Sequence, residues 1–209
     1  MFNLKTVAVI ALASTALFMG SQRAEAIIIF NFDTVYTGFT PDGPPAWATL
    51  TIVDFAADEV KMTLSANWDG SLYPAQFIRD LYLNISPFLN ATLVSGSVSG
   101  PAVISGVSSS LDGINGGAGT SYDHRVDFQV AGGPGRLTGG ETVSWRVTAP
   151  GLTEAHFLAT EPGQGLEAGM HIQGITGGLS GHVTTPEPAS LFGIASGLIA
   201  LARARRNRK

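Results

Sequence analysis

The sequence contains no cysteine, which excludes disulfide bonds, thiolate metal sites and a cysteine nucleophile. Basic side chains are also scarce in the middle of the chain. Residues 27–188 include five Lys or Arg and fifteen Asp or Glu, which gives a net charge of −10. A surface this poor in cations argues against nucleic acid or anionic lipid as a partner. It suits divalent cations or neutral sugars, and solubility alone also explains it.

The sequence has no apolar run of the roughly 20 residues that a permanent membrane helix needs. The N-terminal run, residues 7–19, is thirteen residues long, follows Lys5 and precedes Ala24-Glu25-Ala26. This order of a cation, a short apolar run and small residues at alternate positions is typical of a secretory signal. We therefore expect a signal peptide over residues 1–26, cleaved after Ala26. The alternative is an N-terminal membrane helix.

The C-terminal segment has three parts: Pro186-Glu187-Pro188, an apolar stretch at residues 189–202, and a basic tail. As a helix, the apolar stretch would reach about 21 Å, against a hydrocarbon core of about 30 Å. The positive-inside rule would keep the tail cytoplasmic. Its cations are Arg203, Arg205, Arg206, Arg208 and Lys209. A short transmembrane helix that stops transfer but anchors weakly is what a removable sorting signal requires.

This arrangement resembles the PEP-CTERM sorting signal of Gram-negative bacteria, and the residues that carry the resemblance are Thr185 to Leu191. The resemblance covers residues 185–209. It implies export by the general secretion machinery, transient anchoring in the inner membrane, and recognition by an exosortase, a membrane-embedded cysteine transpeptidase or protease. It also implies a cell-surface or extracellular location in bacteria that make exopolysaccharide and biofilm. The alternative is a simple C-terminal anchor, which would keep the tail.

Between these segments, apolar and polar residues alternate with a period of two. The alternation is clearest at residues 59–66, 124–130 and 141–148, and it predicts half-buried strands. Weaker candidate strands are residues 28–33, 48–55, 77–85, 91–98, 103–108, 155–159 and 170–175. Residues 95–119 are rich in Gly and Ser, which indicates either two strands with a mobile loop or a loose edge.

About ten short strands separated by Gly-rich turns predict an all-β fold, an antiparallel β-sandwich or jelly roll, over residues 27–184. The predicted core contains Trp47, Phe55, Leu64, Leu81, Leu83, Phe128, Trp145 and Phe157. Short pieces such as Pro45-Ala46-Trp47-Ala48 and Met170-His171-Ile172-Gln173-Gly174-Ile175 also resemble secreted proteins that carry the same C-terminal tag. That second resemblance implies a β fold and no activity.

Few residues suggest chemistry. The four histidines, at 124, 156, 171 and 182, lack tight metal-ligand spacing, so we interpret His124 and His171 as ordinary half-exposed strand residues. The Asn67-Trp68-Asp69-Gly70 and Asp112-Gly113 turns offer oxygen ligands for Ca²⁺ without matching an EF-hand loop, and turn chemistry alone explains them. If a calcium site exists, we expect Asp69 and Asp112 in it. Trp68 is the ring most expected to be exposed for sugar binding.

No catalytic motif is found. Gly96-Ser97-Val98-Ser99-Gly100 places valine where a nucleophile elbow needs serine. We therefore expect a non-enzymatic, exported envelope or matrix protein with no confident metal or cofactor. Its expected partner is an exosortase, and extracellular polysaccharide is a second candidate partner. The alternatives are a carbohydrate- or calcium-binding module that uses Trp68, Asp69 and Asp112, and an unrecognised hydrolase.

Overall fold

Short alternating segments form strands throughout the described part of the chain. The computed structural model describes residues 27–158 and 166–185. These residues form twelve β-strands and one 3₁₀ helix, and they include no α-helix. The strands are β1 (Ile27–Phe32), β2 (Thr34–Gly38), β3 (Ala48–Ala56), β4 (Glu59–Ala66), β5 (Phe77–Leu83), β6 (Thr92–Leu93), β7 (Ile104–Asn115), β8 (Ser121–Phe128), β9 (Leu137–Thr138), β10 (Thr142–Thr148), β11 (Ala168–Ile175) and β12 (Leu179–Thr184), and the 3₁₀ helix is Glu154–Leu158.

Two antiparallel sheets make up the fold. The first has the strand order β1-β3-β4-β10-β6, and the second has the order β2-β12-β11-β5-β8-β7, with β9 paired to one end of β5. Every ladder between these strands is antiparallel. One hydrophobic core joins the inner faces of both sheets, as shown by the edge-to-face contact of Phe128 with Trp145 at 5.9 Å between ring centroids. The predicted antiparallel sandwich is therefore confirmed, whereas the finer jelly-roll topology stays a prediction.

The period-two pattern explains which side chains form the core. In β4, Val60, Met62 and Leu64 are fully buried, while Lys61 and Thr63 on the other face are half-buried. The same alternation occurs in β10, where Val143, Trp145 and Val147 are fully buried. Because all of these residues lie on the inner face of one sheet, the alternation that is visible in the sequence positions the core directly.

One predicted strand and one predicted core residue are wrong. Residues 155–159 were expected to be a strand, but residues 154–158 form the 3₁₀ helix. Phe55 was expected in the core, but its side chain is 54 % exposed. The β3–β4 ladder shifts register between Asp54 and Ala56, and the Phe55 ring instead packs under the Arg146 guanidinium, 4.5 Å from its centroid.

The predicted signal peptide (residues 1–26, with Ala24 and Ala26) lies outside the described residues. The sorting signal, which includes Pro186, Glu187, Pro188, Arg203, Arg205 and Arg206, lies outside them as well. Within the ranges that are described, no helix has the length and apolar character needed to span a membrane.

Candidate functional site

A row of ionisable side chains crosses the outer face of the larger sheet. His182 on β12 lies opposite His171 on β11, His171 lies opposite Asp80 on β5, and Asp80 lies opposite Asp127 on β8. The adjacent register row consists of the core residues Val183, Met170, Leu81 and Val126. Because neighbouring residues in a strand point to opposite faces, His182, His171, Asp80 and Asp127 all lie on the outer face of the sheet. We call them the polar row.

The tip of the β7–β8 hairpin, residues 115–120, lies over part of this face. The Tyr36 hydroxyl on β2 donates a hydrogen bond of 2.5 Å to the carbonyl oxygen of Gly116. A Cβ added to Gly117 would lie only 3.1 Å from His182 Nε2, so the backbone of the tip contacts that ring directly. Just after the tip, Tyr122 stacks on Tyr82 of β5 with 5.4 Å between ring centroids. The hairpin tip therefore covers an outer face that would otherwise be open to solvent.

Asp80 is the electrostatic centre of the polar row, with a side chain only 4 % exposed. Its Oδ2 atom lies 3.4 Å from His171 Nδ1 and accepts a 3.1 Å hydrogen bond from the Tyr82 hydroxyl. Burial alone would raise the pKa of Asp80, but the hydrogen bond with His171 and the nearby Arg125 and Arg79 guanidinium groups hold it below its ordinary value. Asp80 is therefore a carboxylate.

The two histidines of the polar row are stacked. Their ring centroids are 4.1 Å apart and their planes differ by 9°. Burial and the neighbouring His171 ring lower the pKa of His182 to about 4, against an opposing effect of Asp80. The His171 Nε2 atom is buried and has no hydrogen-bond partner among the described residues. Burial and the adjacent imidazole therefore disfavour a positive charge on His182.

The tyrosines beside the row also resist ionisation. Burial raises the pKa of Tyr82, and the adjacent Asp80 carboxylate raises it further. Burial likewise raises the pKa of Tyr122 and of Tyr36. These phenols are therefore neutral hydrogen-bonding groups, and the Tyr82 hydroxyl is a donor to Asp80 rather than a proton source.

The Asp80–His171 pair has the arrangement that orients a histidine for proton transfer, because a carboxylate fixes the ring through one nitrogen. Its other nitrogen is buried, however, and the neighbouring strand contributes a second imidazole instead of a nucleophile. Within the described residues, no three side chains of His, Asp or Glu are arranged to hold a metal ion. The geometry therefore favours a charge-sensitive contact between the sheet and the hairpin tip.

The residues that we expected to bind a ligand lie elsewhere. Trp68 was expected to be an exposed ring, but it is 1 % exposed and packs against Gly139, where an added Cβ would lie 2.4 Å from the indole Cδ1. A ring buried in this way offers no face to a sugar. Asp69 is fully exposed and accepts hydrogen bonds from the backbone nitrogen (2.8 Å) and hydroxyl (2.6 Å) of Ser71, so it closes its own turn.

Asp112 is an exposed residue on β7, in the larger sheet, whereas Trp68 and Asp69 follow β4 of the smaller sheet. The Asp112 backbone has a φ of +48° and its N–H donates to Asp123 Oδ1 at 2.8 Å. These contacts are those of a turn. Calcium binding by Asp69 or Asp112 stays a prediction.

The histidines are distributed differently from our expectation. His171 (8 % exposed) and His124 (0 %) are buried rather than half-exposed. His124 faces the core from β8, and His156 lies on the 3₁₀ helix. Sequence reasoning missed the polar row because its members lie on four different strands and are spread over 102 residues of the chain, from Asp80 to His182. The detectable signal was a titratable residue on the polar face of each of several strands.

A shallow pocket of about 170 Å³ lies between the loop that precedes β5 and the β11–β12 turn, and Asp42, Tyr73 and Ile175 line it. Pockets that bury a drug-sized ligand are typically about 300–1,000 Å³. The Asp42 carboxylate in this pocket already accepts two hydrogen bonds from Thr176, at 2.8 and 3.1 Å.

Comparison of the chain with known protein families and with curated proteins finds no match.

Proposed function

We propose that this chain is an exported protein that an exosortase sorts to the cell envelope or extracellular matrix. Its β-sandwich would serve there in a structural or interaction role linked to exopolysaccharide or biofilm. The observation that carries the proposal is the order of elements at the C-terminal side. The Pro-Glu-Pro element begins two residues after β12 ends at Thr184, and the apolar stretch and the Arg-rich tail follow it in turn.

The described domain supports a structural role through its construction. Most of its buried apolar side chains belong to one core shared by both sheets, in which the large rings of Trp68 and Trp145 are fully buried. The acidic character of residues 27–188 suits a protein that stays dispersed in an aqueous matrix.

The test is intact mass spectrometry of the protein recovered from its native host, with envelope and medium analysed separately. We expect a mass that begins at Ile27 and ends near Pro188, with or without an added group. A variant in which Pro186, Glu187 and Pro188 are all replaced by Ala should retain the tail. Asn207→Ala, a neutral change within the basic tail, is the matched control and should be processed normally. A native mass that still extends to Lys209 would refute the sorting proposal.

A further inference from the structure

The contact between His182 and the hairpin tip is closed when the ring is neutral. The Gly117 backbone lies against His182 Nε2, and the Tyr36 ring lies on another side of the same imidazole, with centroids 5.8 Å apart and tilted by 56°. The stacked His171 ring occupies a third direction. Because His182 is half-buried, a proton added to it creates a cation that is only partly hydrated while the tip is closed.

The charges around His182 do not relieve that cation. Asp80 is the nearby anion, but it already contacts His171 and two guanidinium groups, at 3.4 Å from Arg79 and 3.6 Å from Arg125. The titratable and charged groups that face the pair, from every strand packed against it, are Tyr36 on β2, Arg79, Asp80 and Tyr82 on β5, Tyr122, Arg125 and Asp127 on β8, and the two histidines themselves.

The hairpin tip is the part of this arrangement that can move. Ala118 and Gly119 at its end are exposed, and the contacts of the tip with the sheet include the Tyr36–Gly116 hydrogen bond, the hydrogen bond between the Tyr36 and Thr120 side chains, and the Gly117 contact. The β7–β8 ladder shifts register between Ser109 and Ile114, so residues 110–113 lie outside its regular pairing and are held to β8 by the hydrogen bond from the Asp112 N–H to Asp123 Oδ1. This irregularity is where the hairpin can bend. A segment with few buried apolar contacts opens at a lower free-energy cost than the core.

We propose that the hairpin tip is an acid-operated flap, which opens from the outer face of the larger sheet when His182 is protonated beside His171. Opening gives the imidazolium access to water and separates it from the Gly117 backbone. It also uncovers Tyr36 and the edge of the Tyr82–Tyr122 stack. Above the acidic range His182 is neutral and the flap is closed.

The size of the effect follows from linkage. With a pKa near 4 for His182 in the closed state and 6.5 when it is open to water, acid favours the open state. The equilibrium constant for opening should increase by up to about twentyfold between pH 7 and pH 5, with the full increase as the upper limit because the His171 ring stays beside His182 when the tip opens.

The absence of cysteine provides a direct assay on the full chain. Thr120→Cys places one thiol at the tip, at a position that is 7 % exposed, and Ala66→Cys places one in the core strand β4, at 2 % exposure. Labelling with a dipyridyl disulfide, which reacts with thiols in acid as well, is measured at pH 7 and pH 5. Each rate is divided by the rate of the same chain unfolded in urea at the same pH, which gives a protection factor.

We expect the tip thiol to be less protected than the core thiol at both pH values, and its protection to fall by up to about twentyfold from pH 7 to pH 5. His182→Phe keeps a ring in the stack but cannot titrate, so the fall should disappear. His156→Phe is the matched control and should retain it. His182→Gln is a second non-titrating variant if the phenylalanine disturbs folding.

Three results would overturn the proposal. Equal protection of the two thiols would mean that the tip opens only when the whole domain unfolds. Protection that is the same at pH 7 and pH 5 would show that acid does not open the flap. An undiminished fall in both His182 variants would assign the pH dependence to another group.

Discussion

His124 should make the domain sensitive to mild acid. It is fully buried on β8, and its Nδ1 atom lies 2.8 Å from the Ser109 hydroxyl oxygen. That hydroxyl donates its only proton to the carbonyl oxygen of Ala91, at 2.8 Å, so it can only accept from His124. Nδ1 therefore carries the proton in the neutral ring, and Nε2 is left with a lone pair and no hydrogen-bond partner among the described residues.

Protonation of His124 at Nε2 would place a cation in the core with no acceptor. Burial accordingly lowers the pKa of His124 to about 4, from 6.5 in the unfolded chain. For a histidine with a lowered pKa, the unfolded state binds the proton first, so stability is complete above pH 6.5 and falls as the pH decreases from 6.5 to 4. Linkage gives a loss of about 2 kcal/mol at pH 5 and about 3 kcal/mol below pH 4 from this residue alone.

The assay is urea unfolding at pH 7.5 and pH 5 for the native chain and for His124→Phe. The difference between the two pH values within each protein is compared, so that any general destabilisation by the substitution cancels. Since pH 5 is still above the ordinary aspartate pKa of 3.8, Asp80 contributes little to the difference in stability between pH 7.5 and pH 5. His182 acts in the same direction as His124, and the double variant should lose both contributions.

His156→Gln, on the 3₁₀ helix, is the control and should keep the native pH dependence. The reasoning about the buried imidazole would be refuted if the native chain were equally stable at both pH values. It would also be refuted if His124→Phe retained the whole difference.

Three further predictions concern packing and ligand binding. Trp145→Ala should destabilise the domain by about 3–5 kcal/mol in urea unfolding, because it removes a fully buried ring that contacts Phe128; a loss below 1 kcal/mol would contradict the shared core. Gly181→Ala should cost about 1–3 kcal/mol, since its Cβ would lie 1.9 Å from the Phe39 carbonyl oxygen, whereas Gly132→Ala meets no atom within 4 Å and should be neutral by the same measurement. If Asp69 binds Ca²⁺, then Ca²⁺ at a hundredfold excess over its dissociation constant should stabilise the native chain by about 2.7 kcal/mol and leave Asp69→Ala unchanged, and a flat thermal-shift titration would refute the calcium prediction.

The strands that could be predicted were those whose burial follows a regular alternation. β4 and β10 each bury every second residue on one face, and apolar residues occupy those positions. β8 follows the same pattern only towards its end, where Val126 and Phe128 are buried. β2 and β12 were missed because their sequences, Thr34–Gly38 and Leu179–Thr184, contain Gly, Ser and Thr with little alternation. β12 is placed in the sheet by pairing with β11, and β2 is placed by pairing with β12. Local sequence does not encode such pairings.

The candidate site was less predictable for the same reason. Asp-Gly and Asn-Gly are local patterns, so the sequence indicates them as candidate ligand sites. In the structure they form local turns, in which Asp69 accepts hydrogen bonds from Ser71. The polar row depends instead on the register of four strands. Trp68 was misplaced because exposure was inferred from the adjacent turn, whereas Gly139, distant in sequence, provides the flat surface that buries the ring.

The two ends of the described domain should differ in their resistance to mechanical force. β12 lies between β2 and β11, with four paired positions on one side and six on the other. β1 is an edge strand that pairs with β3 alone. A load applied after Thr184 must break two ladders of hydrogen bonds together, whereas a load applied before Ile27 can peel one strand from one neighbour. The sandwich is therefore built to bear tension from its C-terminal side and to yield first at its N-terminal edge.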